Sequence, residues 1–312
     1  MAQYDLTKMR TSVENWDLDV QPLDLVARKE LVADFSQFKV AELLCDHVSF
    51  FANFSHKGTT PRDHYTFSIP APNAPVFWHS GHSVRSGQIV VQTPNCEINV
   101  ITPAGFEIFH VSVPDQELHC LLRTMNFDRA KVQRLPRVFN LPQDLTVRLW
   151  DSVSKRPCAS EEGQGRFATD LCHRVVKAWV AQDGLTDRQI SPTAAKRALQ
   201  RCLEAVTRND YSRLTVHHLC DTFHISRRAL EMEFRNNFGV GPAAFLKAVR
   251  LTEARRRLMA ATNKRVQVGD IMHDLGFAHV GQFAGAYRTM FDELPSETLL
   301  RGRADRLPNS VT

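Results

Sequence analysis

The stretch TVHHLCDTFHISRRALEMEFRNNFGVGP, residues 215–242, decides the fold, because QVGDIMHDLGFAHVGQFAGAYRTMFDELP, residues 267–295, repeats it. Val216, Leu219, Cys220, Phe223 and Ile225 return 52 positions later as Val268, Ile271, Met272, Leu275 and Phe277. After a one-residue insertion, Leu230, Phe234, Phe238 and Pro242 return as Phe283, Tyr287, Phe291 and Pro295. Each copy reads as a short helix, a tight turn and a second helix. Thr215 and Ser226 stand where N-caps stand, and Gly239 stands where a helix ends. Leu230, Phe234 and Phe238 are spaced by four and share one helix face. Arg227, Arg228, Glu231, Met232 and Arg235 are then left outward, with Ser226 at the start. The beginning of such a helix is what enters a DNA major groove. Arginine can grip guanine O6 and N7, glutamate can accept from cytosine N4, and methionine can touch a thymine methyl. Each good bidentate pair discriminates by about 1–3 kcal/mol. An amphipathic helix with incidental charges would account for one copy; two in tandem argue for reading DNA.

Charge points the same way. The chain of 312 residues carries a formal net charge of +5. Residues 1–192 hold 20 Lys/Arg against 22 Asp/Glu, a net of −2, while residues 193–312 hold 19 against 12, a net of +7. The basic character therefore travels with the repeat, as expected of a domain that attracts a polyanion. The length leaves room for two domains, each with its own core. No apolar run approaches the roughly 18–20 residues of a membrane span. The first residues lack the apolar core of a secretory signal. Cys45, Cys96, Cys120, Cys158, Cys172, Cys202 and Cys220 form no CxxC pair, which suits reduced thiols in the cytoplasm.

The front half has a different rhythm. From Phe38 to about Val113, short β-branched and aromatic runs such as HYTFSI, GQIVVQTP and FEIFHVSV alternate with Gly, Pro and Asn. Six or more short strands at this spacing suggest a barrel or a sandwich. A short helix is expected over Leu141–Val153. In the next helix Phe167, Leu171, Val175 and Trp179 form one stripe. Such a stripe is core by default and a dimer interface on the sharper reading. Residues 183–192, DGLTDRQISP, read as a linker. Beyond it Ala195, Leu199, Cys202, Leu203 and Val206 give a helix its buried face. The long helix PAAFLKAVRLTEARRRLMAA, residues 242–261, follows the first repeat. Phe245, Val249, Ala254 and Leu258 are expected inward. Arg250, Arg255, Arg256 and Arg257 make it basic, to be shared between acids such as Glu253 and phosphate.

With these residues in view, about Thr193 to Arg301 is similar to the DNA-binding domain of the AraC/XylS family of bacterial transcription regulators. The matching positions are Ser226, Leu230, Phe234, Phe238, Gly241-Pro242, Arg250, Leu258, Ile271, Leu275-Gly276-Phe277, Phe283, Tyr287-Arg288, Phe291 and Pro295. The resemblance implies seven helices, with two recognition helices entering successive major grooves about 34 Å apart. It also implies promoter DNA as ligand, RNA polymerase as a partner in activation, and a small-molecule effector. The second unit departs from the family pattern. Its exposed helix start reads Ala278, His279, Val280, Gly281, Gln282, Phe283, Ala284 and Gly285, leaving His279, Gln282 and Arg288 as polar candidates. Base readout is therefore expected mainly from the first unit, with the second holding phosphate, touching thymine methyls or sensing shape.

The front half resembles the family's sensor, a cupin-like β-barrel followed by helices. Glu97–Val113, EINVITPAGFEIFHVSV, resembles the sensor of the ethanolamine-operon regulators. The expected class is thus α+β: a cupin-like barrel with C-terminal helices, then an all-α domain with two helix-turn-helix motifs. The boundaries read 1–35 for an N-terminal segment, 36–182 for sensing and dimerisation, 183–192 for the linker, 193–301 for DNA binding and 302–312 for a tail. Phe77, Trp78, Arg85 and Phe109 are candidates for the effector pocket. The front half is rich in histidine, namely His47, His56, His64, His79, His82, His110 and His119. Only His79 and His82 are close, and they converge on a metal only across a turn. Satisfied histidines are expected, with no metal and no cofactor. The competing class, a cupin-type metal-dependent enzyme with a helical accessory domain, needs a convergent metal site that is not legible here. No GxGxxG, P-loop, HExxH or GxSxG motif supports another enzyme.

Overall fold

The computed structural model describes residues 16–23, 33–40, 42–80, 82–154, 161–183, 193–207, 214–261 and 266–304. Most of the expected N-terminal segment, linker residues 184–192, tail residues 305–312, Gly81 of the histidine turn and the side chain of Phe167 lie outside the described residues. The chain divides into two compact units, Met1–Val20 with Leu31–Ser191, and Gln21–Glu30 with Pro192–Thr312. No helix among the described residues is long and apolar enough to cross a membrane.

The first unit is built on two sheets. One has five strands in the order β1 (Asp17–Pro22), β4 (Phe54–Thr59), β9 (Glu97–Thr102), β6 (Phe77–His79) and β7 (His82–Val84). The other has six, in the order β11 (Val138–Asn140), β8 (Gln88–Gln92), β5 (His64–Pro70), β10 (Phe106–Pro114), β3 (Leu43–Phe50) and β2 (Ala33–Val40). The expected α+β class holds, with one refinement: the strands form two sheets that do not close into one barrel. Short alternating strands and polar turns serve either arrangement, so spacing alone does not choose between them.

Alternation along β10 shows how the layers stack, because successive side chains point to opposite faces. Phe106 and Ile108 pack with Phe35, Val48 and Phe50 of the same sheet and with Phe54, Phe77, Ile98 and Val100 of the other, so this core lies between the sheets. Phe109, Val111 and Val113 face away and pack with Phe67, Ile69, Ile89 and Val91. That outer face is covered by α1 (Asp115–Thr124), α2 (Gln143–Ser154) and α3 (Glu161–Val180) through Leu118, Leu122, Leu149 and the α3 stripe.

The stripe itself is a correction. Leu171, Val175 and Trp179 are buried within this unit. Trp179 lies edge-on to Phe67 at 5.5 Å and donates Nε1–H to the Pro136 carbonyl at 2.9 Å. The face left outward carries Asp170, His173, Arg174 and Lys177. A helical apolar stripe fits a sheet or a second subunit equally well; here the sheet takes it, so these residues do not form a dimer interface.

The second unit is helical, with seven helices among the described residues: α4 (Ala194–Thr207), α5 (Val216–Phe223), α6 (Arg227–Phe238), α7 (Pro242–Ala260), α8 (Val268–Asp274), α9 (Val280–Phe291) and α10 (Pro295–Ala304). Leu199, Cys202, Leu203 and Val206 of α4 are buried as their spacing requires, with Ala195 partly so. The central α7 buries Phe245, Leu246, Val249, Leu251, Ala254 and Leu258, which is most of its circumference. It touches α6, α8, α9 and α10.

Leu171→Ala is expected to destabilise the first unit by about 2–5 kcal/mol, the usual cost of emptying a packed core site. Urea denaturation should show this loss at every protein concentration; a loss that fades on dilution would return the stripe to an intersubunit role.

Candidate nucleic-acid interface

The two helix-turn-helix copies share their backbone as well as their apolar pattern. His224 ends α5 in the left-handed region at φ 51°, and Gly276, 52 residues on, takes the same turn at φ 78°. Gly239 ends α6 at φ 70°, and Asp292 ends α9 at φ 57°. Each unit thus meets one of its two left-handed positions with glycine and the other with a polar residue, at a cost of about 1–2 kcal/mol for the side chain.

In the first unit, Thr215 Oγ1 accepts from the His218 amide at 3.1 Å. Ser226 Oγ accepts from the Ala229 amide at 3.2 Å. Both caps stand as the sequence indicates, and the Ser226 hydroxyl is spent on satisfying a free helix N–H. Leu230, Phe234 and Phe238 are buried. Phe234 and Phe238 pack on Phe245 of α7 at 5.4 and 4.7 Å between ring centroids. This fixes the rotation of α6 about its axis and so selects the face it shows. Arg227 and Arg228 project from the first turn, exposed, with no carboxylate partner among the described residues. Met232 follows, 56% exposed. Glu231 and Arg235 are engaged with each other at 3.0 Å, one helical turn apart. The Glu231 carboxylate also lies where a Cβ on Gly241 would sit. These two are therefore less available to bases than their spacing suggests.

Two of the α7 arginines pair with Glu253 as the sequence expects, and the remaining contacts also lie within the fold. Arg250 turns inward: Nη2 donates to the Leu214 carbonyl at 2.8 Å, and burial pushes its guanidinium below its ordinary pKa. It braces the domain and does not project as a DNA ligand. Arg255 reaches Glu293 at 3.2 Å and lies 4.5 Å from the Phe291 ring centroid. Arg256 and Arg257 both approach Glu253, at 3.9 and 3.1 Å. Arg257 also reaches Asp274 at 3.6 Å. None of the four is classed as exposed. The phosphate role expected of this helix is not supported, because Glu293 and Asp274 fold onto it from elsewhere and Glu253 pairs within it.

The second unit is anchored by a network that the sequence reading missed. Glu293 takes two bonds from Arg301, at 2.6 and 2.9 Å, besides Arg255. It accepts from Thr298 at 2.8 Å, and Thr298 accepts from the buried Tyr287 hydroxyl of α9 at 2.8 Å. Burial alone would raise the Glu293 carboxyl; the bonds from Arg301 and Thr298 and the nearby charges outweigh it, and its pKa is lowered. Phe283, Tyr287 and Met290 bury the other face of α9. Outward stand His279, Val280 at 61% exposure, Gly281, Gln282, Gly285 and Arg288. His279 makes no side-chain cap bond. A Cβ built on Gly281 or Gly285 would meet nothing within 4 Å. The fold therefore does not demand glycine at either place, and the result is a low face, poor in side chains, at the start of α9.

In the first unit, the four candidate pocket residues do not converge. Phe77 belongs to the apolar layer between the sheets and Phe109 to the layer under the helices. Trp78 points away from Phe77 by alternation, and Arg85 is exposed in the turn before β8. Aromatic composition marks core and pocket alike. Several front-half histidines have protein partners: His56 with Thr102 at 2.9 Å, His47 with Glu107 at 2.8 Å and His79 with Gln92 at 2.9 Å. Among the described residues no group of three or more His, Cys, Asp or Glu could hold a metal ion.

Residues 219–301 match the family model described as a helix-turn-helix domain. Over 86 residues the chain is 38% identical to the probable thc operon regulatory protein of Rhodococcus erythropolis, covering 28% of this chain and 26% of that one. Over 100 residues it is 29% identical to XylDLEGF operon transcriptional activator 2 of Pseudomonas putida, covering 32% of this chain and 64% of that one. Residues 219–301 are a helix-turn-helix domain. The chain spans about a quarter of the first relative and just under two thirds of the second. Among solved structures, the AraC-like transcriptional activator CuxR aligns over 82% of this chain and 91% of its own, at 18% identity and a TM-score of 0.40.

Two predictions test the turns and the bare face. His224→Gly should stabilise the helical unit by about 1 kcal/mol, since glycine carries no left-handed penalty; a loss of stability in chemical denaturation would refute the assignment of strain. Gly281→Ala and Gly285→Ala should each leave the domain as stable or up to about 1 kcal/mol more stable, and a marked loss would mean that the fold itself requires these glycines.

Proposed function

We propose that this chain is a sequence-specific DNA-binding transcription regulator that responds to a small molecule and activates its target promoter. The observation that carries the reading is the pair of helix-turn-helix units packed on one helix, the first showing Arg227, Arg228 and Met232 without internal partners. Base readout comes chiefly from α6. Arg227 and Arg228 reach guanine edges, and Met232 reaches a thymine methyl. The Glu231–Arg235 pair opens when DNA offers a better partner to either side chain. The second helix, α9, docks. Its bare Gly281 and Gly285 let its backbone approach DNA closely, Val280 meets a methyl group, and His279, Gln282 and Arg288 reach phosphate or a base edge.

Residues 193–301 form the DNA-binding part, 36–182 the sensing part and 183–192 the connection between them; from the segment 1–35, Trp16 to Val20 and Ala33 to Phe35 go with the sensing part. The sensing part is cupin-like, and the resemblance of residues 97–113 groups it with ethanolamine-operon sensors without naming an effector. An effector acts here only by binding the DNA-competent arrangement with a different affinity from the other. Activation implies contact with RNA polymerase, and work on DNA implies the cytoplasm. A second copy of the chain, where it pairs, uses a surface other than the α3 stripe. The enzyme alternative is not favoured: the helix-turn-helix match and the operon regulators among the relatives support a regulator.

Promoter DNA binding should weaken steeply as salt rises, because several phosphates lose their condensed counterions on binding. Across an operator substitution series, Arg228→Ala is expected to relax discrimination at one base pair by about 1–3 kcal/mol. Gln282→Ala should weaken all sequences more evenly. A larger loss of discrimination from Gln282→Ala would reverse the roles of the two helices.

A further inference from the structure

Positive charge in the first unit is not spread evenly. Residues 123–137, RTMNFDRAKVQRLPR, hold Arg123, Arg129, Lys131, Arg134 and Arg137 against the single acid Asp128. The rest of residues 1–192 holds 15 Lys/Arg against 21 Asp/Glu. An ordinary solvated face intersperses the two signs. Here a net of +4 is concentrated in fifteen residues of a half that is otherwise −6.

The local structure turns these charges outward. Asn126, left-handed at φ 53°, ends α1, and the Phe127 amide bonds back to the Leu122 carbonyl at 2.9 Å. The chain then enters a short 3-10 helix, Arg129–Arg134, whose cap Asp128 accepts from the Ala130 amide at 2.9 Å. Val132 and Leu135 are buried in the layer under the helices. Three residues make one turn of such a helix, so Lys131 and Arg134 share a ridge, about 6 Å apart along the axis. Arg137 follows three residues later, just before β11. All five basic residues are exposed.

Their internal uses differ. Arg129 reaches Asp115, and Lys131 lies 3.6 Å from Asp183. Arg123 stands in the last turn of α1, where a cation complements the helix end. Arg134 and Arg137 have no acid partner among the described residues.

The chemistry of the segment narrows its partner. A protein contact is anchored by aromatic or apolar side chains at its centre. The large apolar side chains exposed among the described residues are Phe51, Val147, Met232, Val280, Leu294 and Leu300, and none falls within 123–137. A phosphate backbone asks only for Lys and Arg. The segment also lies where the chain leaves this unit. The Pro136 carbonyl accepts from Trp179 near the end of α3, and Asp183, the partner of Lys131, is the last described residue of that stretch. The nine residues that follow, 184–192, can span at most about 30 Å, less than one turn of DNA.

We propose that residues 123–137, through Lys131, Arg134 and Arg137, are a second DNA contact of this chain, one that grips the phosphate backbone beside the operator without reading its sequence. Such contacts fix position, while base contacts specify. This rests on the DNA-binding reading given above and adds to it a surface of the front half.

The test uses the full chain and a duplex that it enriches from a random-sequence pool. Affinity is measured across a salt series for the enriched site in about 20 base pairs, and for the same site with about 30 base pairs added on each side, two and three turns of DNA. The flanks should tighten binding severalfold at low salt, and the gain should fade as salt rises. Arg134→Gln with Arg137→Gln should remove most of the gain and leave the short duplex bound as before. On the long duplex it should flatten the slope of log K against log salt by about 2, since each phosphate contact contributes about 0.9. Lys39→Gln with Arg62→Gln removes the same charge at exposed positions outside the segment and should keep the gain. The proposal is overturned if the Arg134/Arg137 variant keeps the gain, or if the Lys39/Arg62 variant loses as much of it. Flanks that add nothing also overturn it and leave an acidic protein as the occupant. Enrichment without a flank gain removes this contact alone, whereas failure to enrich any duplex removes the regulator reading and this contact with it.

Discussion

The packing of α7 against both helix-turn-helix units is the constraint on which the helical half depends. An exposed helix buries one stripe; this one buries most of its circumference, which happens when partners lie on several sides. The Phe234–Phe245–Phe238 stack sets α6 on one side. The Arg255–Glu293 pair, extended through Arg301, Thr298 and Tyr287, sets α9 on the other. Aromatic packing fixes rotation with little dependence on solvent, whereas the Glu293 network adds direction through short charge-assisted bonds. Because both helices are located by the same element, a shift of α7 would move the two exposed faces together.

The two units reach one backbone by different chemistry. His224 answers Gly276, and Gly239 answers Asp292, so the turns are kept while the residues that make them are exchanged. The exposed faces are not kept. Arginine crowds the start of α6, and glycine and alanine leave the start of α9 bare. A buried face is held by packing, to which a single methylene matters; an exposed face is free to diverge, and here it has.

In the front half, the same sheet carries an apolar end and a polar end on one inner face. The polar end costs stability, above all through Asp46, which no cation pairs with among the described residues. Its hydrogen bonds link His79 through Gln92 and Ser68 to His110. Sites that break the local rule of an apolar core are where function is expected to sit.

Much of this was legible beforehand. Repeat spacing located both helix-turn-helix units, Thr215 and Ser226 marked their caps, and Leu230, Phe234 and Phe238 marked the buried face. Alternation marked the front half as short strands. The errors share one cause. Periodicity says which residues lie on a face but not what covers it, so the Leu171–Trp179 stripe passed for a possible dimer surface. Composition says that an arginine is present but not where its long side chain ends, so Arg250 passed for a DNA ligand. Pocket residues guessed from aromatic content fell on three different surfaces.

What the sequence determined by itself is what depends on near neighbours: helix and strand periods, caps, turns, and the basic bias of residues 193–312. What only the tertiary structure decided depends on residues far apart in the chain. Arg250 finds the Leu214 carbonyl, Glu293 gathers Arg255 and Arg301, and Asp46 comes to lie opposite His110. The physical reason is range. A helical or strand period is enforced by local backbone sterics and hydrogen bonds, while a charge or acceptor acquires its meaning from whichever group the rest of the fold sets within about 3 Å of it.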